Sequence, residues 1–181
     1  MNHYLTPVEP PFSPEIAEIF TTYPQRNGYI LKLFRVFANS RRFLKKGVPN
    51  LLDKASPLSL RAREIVILRV TAKRACAYEW GVHVTAFSAA AGFTSDQIHA
   101  THQAGGDAPC WSAEEGLLIR VVDEICASAN LSETTRAEFQ SLWTAEQQLE
   151  IIALCGTYHT ISSVANIARI EAEDFAAKFP D

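Results

Sequence analysis

Cys76-Ala77-Tyr78-Glu79-Trp80-Gly81-Val82-His83 sits in a stretch, 75–91, that reads as one helix, and Arg63-Glu64-Ile65-Val66-Ile67-Leu68-Arg69-Val70 lies in the helix before it. Neither stretch shows the period-two alternation of a half-buried strand. At about 100° per residue, Glu79 lies about 300° and His83 about 340° round from Cys76. Thiol, carboxylate and imidazole therefore share a stripe roughly 60° wide over two turns.

Working outward, the punctuation is that of helices throughout. Ser13-Pro14-Glu15 places a side-chain cap, a first-position proline and a first-turn acid in order. Thr94 with Gln97, Ser112 with Glu115 and Thr144 with Gln147 have capping-box spacing, and Ser59 and Ser132 read as further caps. Gly92 stops the helix that carries His83; Gly105-Gly106 and Pro109 mark a loop; Pro49 and Pro57 interrupt the chain earlier. Leu117, Val121, Ile125 and Ala129 recur every fourth residue, as one buried helical face should. The spacing predicts helices over 14–22, 29–46, 59–73, 75–91, 95–103, 112–129, 132–142 and 145–170. Residues 1–13, with Pro7, Pro10 and Pro11, read as an extended arm.

The expected fold is all-α: a single-domain bundle of about seven or eight helices over 14–181, preceded by the arm. With 181 residues, 48% of them hydrophobic, one core suffices without disulfides or metals. The formal charge of −3 gives no electrostatic footprint for nucleic acid or an anionic membrane. The run Arg41, Arg42, Lys45, Lys46 reads as a solvated helix face. No apolar run approaches the roughly 20 residues of a membrane span, and the N-terminus lacks the pattern of a signal peptide. Cys76, Cys110, Cys126 and Cys155 are scattered with no CxxC pair, so a reduced, cytoplasmic protein is expected.

Glu79 and His83 are an i, i+4 pair, spaced for a direct hydrogen bond that would orient the imidazole as a general base. Glu64 admits two readings. It is a first-turn acid after Ser59, or an inward acid that must be paired or carry a raised pKa. Cys76 alone is a small buried hydrophobe as readily as a nucleophile. Cys76, Glu79 and His83 also have the spacing of mixed metal ligands, but no fourth ligand is evident, so neither metal nor cofactor is expected. Cys155 and His159 form a second thiol–imidazole pair at i, i+4, read as core packing. Leu149-Glu150-Ile151-Ile152-Ala153-Leu154 echoes Arg63-Glu64-Ile65-Val66-Ile67-Leu68. In such a repeat, Ser162, Ala165 and Arg169 would match Cys76, Glu79 and His83; chance similarity of two apolar helix starts is the alternative.

These stretches, with Ala89-Ala90-Ala91-Gly92, resemble the carboxymuconolactone decarboxylase family, which shares its all-helical fold with the alkylhydroperoxidase D-like proteins. The region from Leu149 to Ala168, with Gly156, Tyr158 and His159, resembles the family's C-terminal helix, and the likeness covers about residues 30–170. The resemblance implies a catalytic set of Glu64, Cys76, Glu79 and His83, with Tyr78 and Trp80 lining a substrate pocket. In the peroxidase branch a Cys-x-x-Cys couple carries the chemistry. Here Cys76 matches its first cysteine, Glu79 stands at the second, and Tyr78 replaces the histidine between them, so no disulfide forms within the motif. The decarboxylase branch needs no cofactor and couples loss of carbon dioxide to proton transfer.

The resemblance thus implies a lyase-type enzyme, homo-oligomeric, doing cofactor-free acid–base chemistry on a small carboxylated or lactone-like substrate. The alternatives are an alkylhydroperoxidase or peroxiredoxin-type activity using Cys76, and a non-enzymatic helical oligomerisation module.

Overall fold

Serine and threonine caps set where the helices begin. In the computed structural model, which describes residues 5–180, the side chains of Ser13, Ser40, Ser59, Thr94, Ser112, Ser132 and Thr144 each accept from a backbone amide of the helix they precede. All three expected capping boxes are present. The helices among the described residues are α1 (Pro14–Phe20), α2 (Lys32–Phe37), α3 (Arg41–Lys46), α4 (Leu60–Lys73), α5 (Ala77–Phe87), α6 (Ser95–Gln103), α7 (Ala113–Ser128), α8 (Glu133–Leu142) and α9 (Ala145–Ile167). No strand occurs among those residues; one isolated bridge closes a turn between Arg26 and Tyr29.

The long helix expected over 29–46 is two. Ser40 is extended and its Oγ accepts from Phe43 N at 3.1 Å, so a fresh cap interrupts the helix. The helix expected over 75–91 starts at Ala77, after Ala75 in a left-handed conformation, and ends at Phe87. The 145–170 helix stops at Ile167, with Arg169 left-handed. Residues 5–13 run without helix beside α2, where Val8 N donates to Arg35 O at 3.1 Å and Glu9 pairs with Arg35.

Helix α4 is the axle. Its eight consecutive residues from Glu64 to Thr71 are all buried, as in a helix surrounded on every side, and α5, α6, α7 and α9 pack around it. Arg69 is pinned bidentately to Asp123 of α7 at 2.6 and 2.7 Å and donates to Thr101 O at 3.0 Å near the end of α6. The last residues fold back over α5: Ala177 N donates to Thr85 Oγ1 at 2.9 Å, and Phe179 packs on Trp80. Gly81 allows this, since a methyl group there would occupy the space of the Ala177 carbonyl oxygen.

The suggested echo between α4 and α9 does not extend into tertiary structure. The first stretch breaks at Arg74, Ala75 and Cys76, whereas α9 runs on without interruption, and Ser162 lies against Cys76 itself.

Candidate active site

Glu64 points inward and is 1% exposed, which decides between its two readings. Helix α4 delivers it from one side and α5 delivers Glu79 and His83 from the other. Glu64 Oε2 lies 2.9 Å from His83 Nδ1. Glu79 Oε1 lies 3.4 Å from His83 Nε2. The shorter carboxylate contact to the imidazole is therefore made across helices, while the i, i+4 partner sits at longer range. A third group completes the ring's surroundings: the Tyr158 hydroxyl, from α9, is 3.1 Å from His83 Nε2.

The electrostatics follow from that enclosure. Burial alone would lower the His83 pKa, but the charge and hydrogen bond of Glu64, reinforced by Glu79, outweigh it and push the ring up to about 10. His83 is thus an imidazolium near neutral pH, with both nitrogens donating. Burial, with Glu79 and Glu64 nearby, holds the Tyr158 hydroxyl well above its ordinary range. Glu79 Oε2 is buried and has no hydrogen-bond partner. A buried carboxylate oxygen without a donor is costly, so this atom is the one position in the cluster where a further proton or donor is wanted.

Cys76 caps α5 and has no accessible surface. Burial raises its thiol pKa, with the Glu79 charge adding to the rise and backbone and Ser162 contacts opposing it. The structure does not bring Tyr78 and Trp80 into this cluster. The Tyr78 hydroxyl donates to Glu173 at 2.7 Å, and Trp80 Nε1 donates to Thr101 at 3.0 Å. Their spacing by one residue from Glu79 turns them to other faces of α5. Among the described residues no group of three His, Cys, Asp or Glu side chains is arranged to hold a metal, and no helix is long and apolar enough to cross a membrane.

A model of the carboxymuconolactone decarboxylase family matches residues 47–124. Over that segment the chain is similar to this family. The segment contains α4, α5, α6 and most of α7, and with them Glu64, Cys76, Glu79 and His83. Tyr158 lies outside it, on α9. The fold over nearly the whole chain is similar to that of an uncharacterized peroxidase-related protein from Silicibacter sp. TM1040, with a TM-score of 0.79, 17% identity, and 99% and 100% of the two chains covered. A search of curated proteins finds no match.

The sequence reading missed Tyr158 as a site residue. Its signal was present: Gly156, Tyr158 and His159 stood in the stretch resembling the family's last helix. The Cys155–His159 pair beside it is split by the helix: Cys155 is buried and His159 faces out.

Proposed function

We propose that this chain is a carboxymuconolactone decarboxylase-like, cytoplasmic enzyme doing cofactor-free acid–base chemistry on a small carboxylated or lactone-like substrate. The observation that carries the reading is His83 held between Glu64 and Glu79, with Glu79 Oε2 left unpartnered. The roles divide by charge. An imidazolium cannot accept a proton, so His83 serves as the acid and Glu79 as the base, which reverses the role expected for His83 from spacing alone. Glu64 holds the ring by Nδ1, and Tyr158 fixes the other edge.

In decarboxylation of a lactone acid, the bond to the carboxylate carbon breaks and carbon dioxide leaves. The electron pair remains as an enolate on the lactone. The Glu79–His83 unit then delivers a proton to that carbon and regains one from water. A preorganised cation beside the developing enolate lowers the barrier. The test is carbon dioxide release from a panel of carboxylated lactones, with no metal or cofactor added. Release that depends on Glu79 and His83 supports the reading. Reduction of an organic hydroperoxide that depends on Cys76, with no lactone turned over, overturns it in favour of a peroxidase.

One observation favours a non-enzymatic reading. Glu64, Glu79 and His83 are 1%, 6% and 3% exposed, so in the single chain the cluster is closed to a substrate. A rigidifying trio needs no opening, whereas an enzyme must open. Slowed exchange of the His83 ring proton on adding a lactone acid would distinguish them.

The active form is proposed to be a homo-oligomer. The outward face of α9 exposes Leu149 at 69%, Ile152 at 50% and Ile167 at 72%. Tyr78 and Trp80 are buried within the chain and do not add to that surface. Light scattering that reports a monomer at micromolar concentration would count against assembly.

A further inference from the structure

A second opening lies away from His83. A cavity of about 550 Å³ lies between α7, α8 and α9 at the turn that ends α4, within the range of small-molecule sites. We propose that it binds a small amphipathic carboxylate: one organic acid group on a short apolar body. This inference does not depend on the acid–base reading of the His83 cluster.

The lining has the composition such a ligand needs. Ile125, Leu131, Phe139 and Ile152 make it apolar, and the thiols of Cys126 and Cys155 add to that surface, since burial keeps both protonated. The charged side chains that line it are Arg74 and Arg136, and neither Asp nor Glu is among the lining residues. A cavity walled by one sign of charge over an apolar surface concentrates an anion.

Arg74 makes the case specific. Arg69, five residues earlier on α4, is answered by both oxygens of Asp123. Arg61 pairs with Glu115, and Arg120 with Glu138. Arg74 has no such answer: its Nη2 donates to the Cys126 carbonyl at 2.7 Å, its Nε is buried with no hydrogen-bond partner, and among the described residues no carboxylate pairs with it. A guanidinium that lines the cavity with no carboxylate partner of its own is the complement of a ligand's carboxylate. Arg136, the second cation, is held by Asn130 Oδ1 at 2.9 Å and the Leu131 carbonyl at 3.2 Å, and pairs loosely with the exposed Glu133 at 3.5 Å. The apolar lining selects against a bare inorganic anion, because such an ion would leave that surface wet.

The cavity and the His83 cluster lie on different sides of α9. Tyr158 is buried toward His83, whereas Gly156 and His159 are exposed and line the cavity. Occupancy can therefore be read without reference to turnover.

The probe is octanoate, titrated calorimetrically into the full chain beside 1-octanol and acetate. The expected result is saturable binding of one octanoate per chain, with octanol and acetate each at least about tenfold weaker, the size of one charge-assisted pair. Arg74→Gln and Arg136→Gln should each weaken octanoate while leaving octanol unchanged. Arg136 lies on α8, away from the axle helix, so its variant serves if Arg74→Gln fails to fold. Octanoate should also slow alkylation of Cys126, which lines the cavity, and not of Cys110, which does not. Absence of saturable binding, equal affinity for octanoate and octanol, or full octanoate affinity in the arginine variants would overturn the proposal.

Discussion

Tyr78 and Glu79 are neighbours on α5, yet they enter two buried carboxylate clusters of opposite character. On the Tyr78 side, Glu173 from the C-terminal segment is fully satisfied. Its Oε1 accepts from Tyr78 OH at 2.7 Å and Lys32 N at 2.9 Å, and its Oε2 accepts from Tyr29 OH at 2.9 Å with Lys32 Nζ at 3.8 Å. On the Glu79 side, two carboxylates share one imidazole and one oxygen goes without a donor. Donors matched to acceptors make a clamp. An excess of acceptors around one proton-carrying ring makes a place where protons can be exchanged, at a cost in stability. The difference separates scaffold from chemistry on a single helix.

The sharpest way to break that comparison is turnover. Glu79→Gln and His83→Ala should each lower carbon dioxide release by about 10²–10⁴-fold, the usual share of a general acid–base group. The double variant should lose little more, because the two act as one unit. Glu173→Gln should leave turnover within a few-fold of the parent. Equal losses on both sides of α5 would mean that the distinction is false.

Stability against pH separates the clusters next. His83 has an ordinary pKa of 6.5 when unfolded and is pushed up to about 10 in the fold by Glu64 and Glu79, against the effect of burial. Its protonated form is therefore favoured by folding. The stabilisation is full below about pH 6.5 and is lost as pH rises through about 10. Thermal midpoints of the parent and His83→Gln should differ most in mild acid and converge across that window. The Glu173 cluster contains no histidine, so the gap between the parent and Glu173→Gln should stay flat there. Divergence rather than convergence with rising pH would show that the ring is held neutral.

Glu173→Gln itself tests the clamp. The amide nitrogen would replace one of the two oxygens, facing either Lys32 N and Tyr78 OH or Tyr29 OH, and an unmet buried donor costs about 1–3 kcal/mol. The denaturant midpoint should fall accordingly at constant m-value. An unchanged midpoint would mean that the C-terminal segment is not anchored through this carboxylate.

Most of the fold was legible in the sequence because its signals are local. The caps at Thr94, Ser112 and Thr144 were readable from four-residue windows, and each holds. The break at Ser40 was missed because Phe37, Phe43 and Leu44 keep the helix looking apolar across it. Within the site, the shared face of Cys76, Glu79 and His83 follows from angular arithmetic. What local spacing could not give was the cross-helix geometry. Whether Glu64 faces in, that it approaches His83 more closely than Glu79 does, and that Tyr158 joins from α9 all depend on packing between residues 19 and 75 positions apart. The Glu173 clamp was invisible for the same reason: its partners lie up to 144 residues away.

The smallest expected effect is at Cys76, and it sharpens the comparison most, because competing chemistries put it at opposite ends of the scale. Cys76 has no accessible surface, and burial holds its thiol above the ordinary range, so little thiolate exists near neutral pH. The second position of a Cys-x-x-Cys couple is Glu79, so no partner thiol lies within the motif. In an acid–base site the thiol only packs under Glu79. Cys76→Ser keeps nearly the same shape beside Ser162 and should cost less than about tenfold in turnover, well below the range for a general acid–base group. Alkylation of native Cys76 should be slower than that of the half-buried Cys110 and Cys126. Mass analysis without reductant should find no disulfide among Cys110, Cys126 and Cys155. A thiol peroxidase inverts the order: Cys76→Ser abolishes activity, Glu79→Gln is mild, and Cys76 alkylates first. If Cys76→Ser proves the most damaging change on α5, the unpartnered oxygen of Glu79 is a structural feature and the chemistry belongs to the sulfur beneath it.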